Sequence, residues 1–225
     1  ERRTDLEVAL SRLLSSPRAT AETLQDVLRT TAGMYGWSAA RLWELGDDAN
    51  ALRMTAASGD LGAEVVAATE DLLAEAAAGN AEWGKTLLVA KAPLWLGAQA
   101  GNVFALPGAL RAGSGCVLLL PVITTGEAND VLAFYANGGN CGDEAILHAM
   151  QIVASQLAHY LQRRRAEDNL KHVAMHDPLT GLPNRRHFHQ ALGAGVARAE
   201  RAGHGLGVLF VDLDRFKIIN DGLGH

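Results

Sequence analysis

Cysteine is nearly absent from this chain: Cys116 and Cys141 are its only two. Two residues cannot build a disulfide framework, and neither belongs to a C-x-x-C or zinc-type spacing. The expectation is a reducing, cytoplasmic setting. Cys116, on an apolar strand, reads as a small buried side chain. Cys141 precedes a helix whose dipole would lower a thiol pKa, which makes it a lesser candidate for redox sensing. An excess of positive charge is also missing. The net charge of -5 leaves no basic footprint for nucleic acid, so none is expected as a partner. No apolar run reaches the length of a membrane span, and Glu1-Arg2-Arg3-Thr4-Asp5 lacks the apolar core of a signal peptide. What precedes Glu1 is left open. Histidine does not occur before His148, so the first half of the chain has no imidazole to offer a haem iron. His148 and His159 are eleven residues apart, too far along a helix to share one ion.

What is present is ordinary globular protein: 225 residues, 48% hydrophobic, enough for one large or two small domains. Leu6, Leu10, Leu13 and Leu14 recur at helical spacing, and 21–34 forms a second amphipathic helix after Pro17. Residues 37–45 and 51–57 read as paired strands across the turn Gly46-Asp47-Asp48-Ala49-Asn50. An Ala-rich helix follows over 61–78, then an irregular stretch over 79–113 that holds Trp83, Trp95 and Phe104. Residues 115–124 and 131–135 read as antiparallel strands around a six-residue polar loop from Thr125 to Asp130. A long helix begins near Asp143. This order predicts an α+β domain built on an antiparallel sheet.

The run Ala112-Gly113-Ser114-Gly115-Cys116-Val117-Leu118-Leu119-Leu120-Pro121-Val122, followed by Val131-Leu132-Ala133-Phe134, resembles the GAF domain. In that family a glycine-led strand ending in Pro is followed by a hairpin partner that normally reads G-V-L-x-F. Asp130 stands where the Gly is usual. Ala92-Pro93-Leu94-Trp95 is similar to the family's pocket edge. The resemblance implies a sensory domain over 1–162 with a pocket for a small molecule of unknown identity. Trp83, Trp95 and Phe104 read either as the lining of that pocket or, more simply, as core. Bilin-carrying members use a Cys with a neighbouring His, which neither cysteine has, so neither bilin nor haem is expected. The cyclic-nucleotide pattern of related domains is not seen either.

Ile146, Met150, Val153, Leu157 and Tyr160 follow a 4-3-4-3 spacing. That is the spacing of a coiled-coil seam joining two subunits into a homodimer, and equally that of a stripe packed on the helix's own sheet. The seam breaks at Arg163-Arg164-Arg165-Ala166-Glu167-Asp168, and Leu170 and Val173 resume out of phase before Pro178. Residues 163–176 are therefore read as a helical linker.

The last part of the chain carries the chemistry. Gly207 to Val211 is a short apolar run of the kind that forms a buried strand, ending in Asp212 and Asp214, which alternation turns to opposite faces. Lys217, Asn220 and Asp221 follow closely. A carboxylate for a hard cation beside an ammonium and free backbone N–H groups is the assortment that a hard cation and phosphate oxygens need. These residues, with Asp177-Pro178-Leu179-Thr180-Gly181-Leu182-Pro183-Asn184-Arg185-Arg186 upstream, resemble the opening of the GGDEF (diguanylate cyclase) domain. Both of the family's long motifs, D-x-L-T-G-L-x-N-R-R and F-x-D-x-D-x-F-K-x-x-N-D-x-x-G-H, stand in order. Residues 177–225 are read as the N-terminal part of that domain, ending before the GG[DE]EF hairpin.

The resemblance implies Mg²⁺ held by Asp212 and the Leu213 carbonyl. The triphosphate of GTP would lie on the backbone N–H groups of Arg215 and Phe216 and on Lys217, with Asn220 reading guanine. Asn220 is otherwise a helix C-cap ahead of Gly222. Asp214, Asp177 and Asn184 to Arg186 are read as architecture. The function implied is a sensor controlling condensation of two GTP into cyclic di-GMP, in a homodimer whose two domains each hold one GTP. The alternatives are a degenerate GTP-binding domain ahead of a cyclic di-GMP phosphodiesterase, and a purely sensory and dimerising module. No catalytic set is complete within this sequence.

Overall fold

A computed structural model describes residues 2–46, 52–79, 82–97, 115–136, 142–212 and 214. The chain divides into two compact units, Glu1–Arg165 and Ala166–His225.

The first unit opens with α1 (Arg2–Leu14) and α2 (Thr20–Tyr35), whose apolar faces run through Leu6, Leu10 and Leu14 and through Leu24, Val27 and Leu28. Gly36 ends α2 in the left-handed region (φ 70°), and its N–H donates to the Ala32 carbonyl. Then come β1 (Ala39–Leu45), β2 (Leu52–Ser58) and α3 (Ala63–Ala77). A helical turn, α4 (Glu82–Gly84), runs into a π-type turn over Lys85–Val89, followed by β3 (Leu94–Leu96), β4 (Cys116–Thr124) and β5 (Glu127–Ala136). The strands form one five-stranded sheet in the order β2-β1-β5-β4-β3, antiparallel at every pairing.

Both faces of this sheet are covered, which is why β4 reads as an unbroken apolar run. Ala40, Leu42, Leu118, Leu120, Leu132 and Phe134 face α1, α2 and the long helix α5 (Glu144–Met175). Ala39, Trp43, Val117, Leu119, Val131, Ala133 and Tyr135 face the other way, onto Val65, Leu72 and Leu73 of α3 and Leu87. Trp95 is core: its ring stacks 6.0 Å from Trp37, which lies 5.3 Å from Phe134. Trp83 is half-buried against the second face, and Phe104 lies outside the described residues.

Three expectations need correction, and one open alternative is decided. The β4–β5 loop is a two-residue turn, not six: Thr125 (φ 53°) and Gly126 (φ 85°) both take positive φ, the turn whose twist matches a hairpin, and the strand resumes at Glu127. A bulge between Val122 and Ile123 absorbs the register. Cys116 is buried and disulfide-bonded, not a free packing thiol; the chain's other cysteine, Cys141, lies outside the described residues. Of the two readings of the α5 stripe the structure takes the second, packing on its own sheet: Met150, Val153 and Leu157 are fully buried and Tyr160 nearly so. It is not a free seam. The helix itself runs on through the helical linker, unbroken for 32 residues to Met175, about 48 Å at the usual rise. Its N-terminus is capped by Asp143, whose Oδ1 accepts the N–H groups of Ala145 and Ile146.

The second unit contains the distal end of α5 and α6 (Arg185–Ala202). Gly207 to Val211 is exposed and outside regular structure, the third correction. A strand exists by its ladder, and the described residues of this unit hold no strand for it to pair with. None of the described helices is long and apolar enough to cross a membrane.

Candidate functional site

The turn between α5 and α6 is built by two side chains. Asp177 Oδ1 accepts the N–H of Leu179 (3.1 Å), the N–H of Thr180 (3.0 Å) and the Thr180 hydroxyl (3.0 Å). These bonds, led by that from the Thr180 backbone, hold its carboxyl below the usual carboxylate range. Gly181 donates its N–H to the Asp177 carbonyl at φ 67°, a conformation that suits glycine. Asn184 is the N-cap of α6: its Oδ1 accepts the His187 N–H at 3.1 Å, while its Nδ2 donates to the Ala174 carbonyl at 3.0 Å. One amide thereby ties the start of α6 to the end of α5. The pattern D-x-L-T-G-L-x-N thus has a structural purpose at each end.

From Gly203 the chain returns along α6. Leu206 lies over the buried Gly195, where an added Cβ would meet it at 3.4 Å, and Phe210 meets Phe188 edge-on at 6.0 Å. This return carries the chain to Asp212. Asp212 and Asp214 are both exposed. Leu213, Arg215, Phe216, Lys217 and Asn220 lie outside the described residues. A histidine cluster that sequence reading passed over sits at the turn: His172 and His176 stack at 3.9 Å, and His187 meets His176 edge-on at 5.4 Å. Spacing of four residues along α5 was its only sequence signal. Among the described residues, no three His, Cys, Asp or Glu side chains converge to hold a metal ion.

In the first unit, the α3-covered face of the sheet contains polar groups that sequence patterning did not single out. Tyr135 donates its hydroxyl hydrogen to Thr69 Oγ1 at 3.0 Å, and burial pushes the phenol up to about 12. Arg41 is buried and donates to the carbonyls of Ala40, Ser58 and Gly59; desolvation lowers its pKa. A groove of about 260 Å³ between β4 and α5 is lined by Lys91, Pro121, Gln151, Ser155 and His159, among others.

Residues 174–225 match the family model described as diguanylate cyclase, GGDEF domain. An uncharacterized protein of Mycobacterium tuberculosis is 42% identical over 106 residues, covering 47% of this chain and 17% of that protein. Diguanylate cyclase TpbB of Pseudomonas aeruginosa is 48% identical over 66 residues, covering 28% of this chain and 15% of that enzyme. The chain thus spans less than a fifth of the length of either relative. The GAF domain of a sensor histidine kinase from Pseudomonas syringae superposes with TM-score 0.52 at 22% identity, covering 75% of this chain and 93% of that structure.

Proposed function

We propose that this chain, a GAF-fold unit followed by a GGDEF-family segment, is the sensory and opening catalytic portion of a diguanylate cyclase. The observation that carries this reading is the block from Phe210 to His225, within the stretch that matches the family model. The parent enzyme would condense two GTP molecules into cyclic di-GMP. The 3′-hydroxyl of each attacks the α-phosphate of the other, and two pyrophosphates leave.

Asp212 presents an exposed carboxylate. Together with the Leu213 carbonyl it offers the hard oxygen ligands that Mg²⁺ takes. Bound there, Mg²⁺ would neutralise charge on the triphosphate. The backbone N–H groups of Arg215 and Phe216 would receive phosphate oxygens, and Lys217 would add a point charge. Asn220, able both to donate and to accept, would read the guanine edge.

Two GTP-holding domains must meet, so the working form is proposed to be a homodimer. Leu170 and Val173 support this: they lie three residues apart on α5 and are 70% and 61% exposed. They are the apolar side chains with which the distal helix could pair. We place the protein in the cytoplasm, the compartment that holds GTP, where the Cys116 disulfide would meet reductants. The pocket side of the GAF-like unit is proposed to take a small ligand, its identity open.

The test is formation of cyclic di-GMP from GTP and Mg²⁺ by the longer parent and by its Asp212→Ala variant. A wild-type parent that binds GTP but makes no product would favour a regulatory domain instead.

A further inference from the structure

Three consecutive arginines stand where α5 leaves the first unit, and each grips a different element. Successive residues of a helix point about 100° apart, so three in a row reach around more than half of its circumference. Arg163 donates to the Leu14 carbonyl at the end of α1 (3.0 Å). Arg164 donates to Thr20 Oγ1 at the start of α2 and to the Arg18 carbonyl in the connection before it, both at 3.1 Å. Arg165, the last residue of the unit, reaches the sheet. Its Nη2 lies 3.0 Å from both oxygens of Asp130 on β5 and 3.1 Å from Glu44 Oε1 on β1, and its Nη1 donates to Thr124 Oγ1 of β4 at 3.2 Å.

The arms differ in kind. The bonds of Arg163 and Arg164 given above end on neutral oxygens. The arm of Arg165 ends on carboxylates, and the Asp130 side chain is only 2% exposed while Arg165 is 38% exposed. A carboxylate buried at the end of a strand costs free energy unless a cation meets it. The register of Asp130 makes it a junction: it pairs with Glu44 across β1 and with Val122 across β4.

We propose that Arg163, Arg164 and Arg165 form a collar that fixes the rotation of α5 at its exit from the first unit. The Asp130–Arg165 ion pair is the releasable arm, through which displacement of β1 or β5 reaches the emerging helix. The proposal does not depend on the cyclase reading, because it concerns the helix itself.

Asp130 is faced by Arg165 from α5, by Glu44 from β1 and, through Glu44, by Arg53 of β2; Thr124 from β4 is neutral. Burial, only partly offset by Arg165, raises its carboxyl to about 6. The arm is therefore charged at neutral pH and discharged by mild acid.

The test is hydrogen exchange along α5 in the 1–225 chain, corrected for intrinsic rates, comparing wild type with Asp130→Asn and Thr20→Val. Losing the charged arm should speed exchange of the amides around 161–168 by about tenfold, the scale of one charge-assisted hydrogen bond, while 149–157 stay protected. Thr20→Val, which removes a neutral partner of Arg164, should give a smaller local rise. Lowering the pH from about 7.5 to about 5.5 should reproduce the Asp130→Asn pattern in wild type and do nothing further to that variant. Unchanged exchange at 161–168 in Asp130→Asn, a rise spread over the whole unit, or a variant as pH-sensitive as wild type would each overturn the proposal.

Discussion

Tyr135 and Thr69 join sheet to helix through one hydrogen bond with unequal ends. The Tyr135 hydroxyl donates to Thr69 Oγ1 at 3.0 Å, and Thr69 Oγ1 in turn donates to the Val65 carbonyl at 2.8 Å. Both side chains are buried. Tyr135→Phe removes a donor and leaves Thr69 still bonded to Val65, so it should cost no more than about 1 kcal/mol. Thr69→Val strands a buried phenol hydroxyl and should cost more, about 1–3 kcal/mol. Urea denaturation of the two variants reads the difference. Equal losses would mean that the hydroxyl finds another partner.

The two halves of α5 should respond oppositely to the same substitution. Val153 and Leu157 are fully buried in the core. Glutamate at either position places a carboxylate there without a partner and should unfold the first unit, seen as loss of the thermal transition. Leu170→Glu with Val173→Glu instead should leave that transition in place and shift the molecular mass toward monomer in light scattering. A folded Val153→Glu monomer would restore the seam to 146–160.

This contrast shows where reading the sequence stops. A 4-3-4-3 spacing states that a helix has an apolar face, but the face is the same whether a sheet or a second helix lies against it. β4 was legible because burial on both faces leaves a continuous apolar run. The Thr125-Gly126 turn was missed because polar residues from Glu127 to Asp130 look like loop, and only register shows them to be paired. Asp130 was noticed as a departure from Gly, yet its partner is 35 residues away on another element, a distance no local pattern spans. At the candidate site, Asp177 and Asn184 were legible because their hydrogen bonds are local. The phosphate- and guanine-binding assignments rest on motif resemblance.

Asn184→Ala should loosen the start of the second unit. The substitution removes the cap of α6 and the bond to the Ala174 carbonyl together. Loss of the cap alone is worth about 1 kcal/mol. Hydrogen exchange of the first turn of α6 should rise while the first unit keeps its protection. Asn184→Asp, which retains an acceptor for the His187 N–H, should recover the cap but not the bond to α5.

Stability should carry the signature of Asp130 with a sign opposite to that of an exposed ion pair. Its carboxyl is raised from 3.8 to about 6 in the folded chain, chiefly by burial and despite Arg165. The folded state therefore binds the proton more tightly than the unfolded state between those values. The contribution is fully present below 3.8 and is lost as pH rises through about 6. Measured against Asp130→Asn, wild-type stability should fall across that window as pH increases and level off above it. A wild type that gained stability over the same window would mean that Arg165 outweighs desolvation and holds the carboxyl low.

Turnover should require residues beyond this sequence, and Asp212 within it. The family draws further contacts from the GG[DE]EF hairpin, which does not occur among the 225 residues. One exposed carboxylate holds Mg²⁺ weakly, because the ion surrenders its waters reluctantly and prefers several oxygen ligands. Residues 1–225 alone should therefore yield no cyclic di-GMP from GTP and Mg²⁺, while the longer parent should. In the parent, Asp212→Ala should abolish product with the thermal transition nearly unchanged, since the side chain is exposed and surface substitutions usually shift stability by about 0.5 kcal/mol or less. Product from the Asp212→Ala parent would remove the metal assignment, and product from residues 1–225 would remove the need for the hairpin. The two results can be told apart because one follows the variant and the other follows the length of the chain.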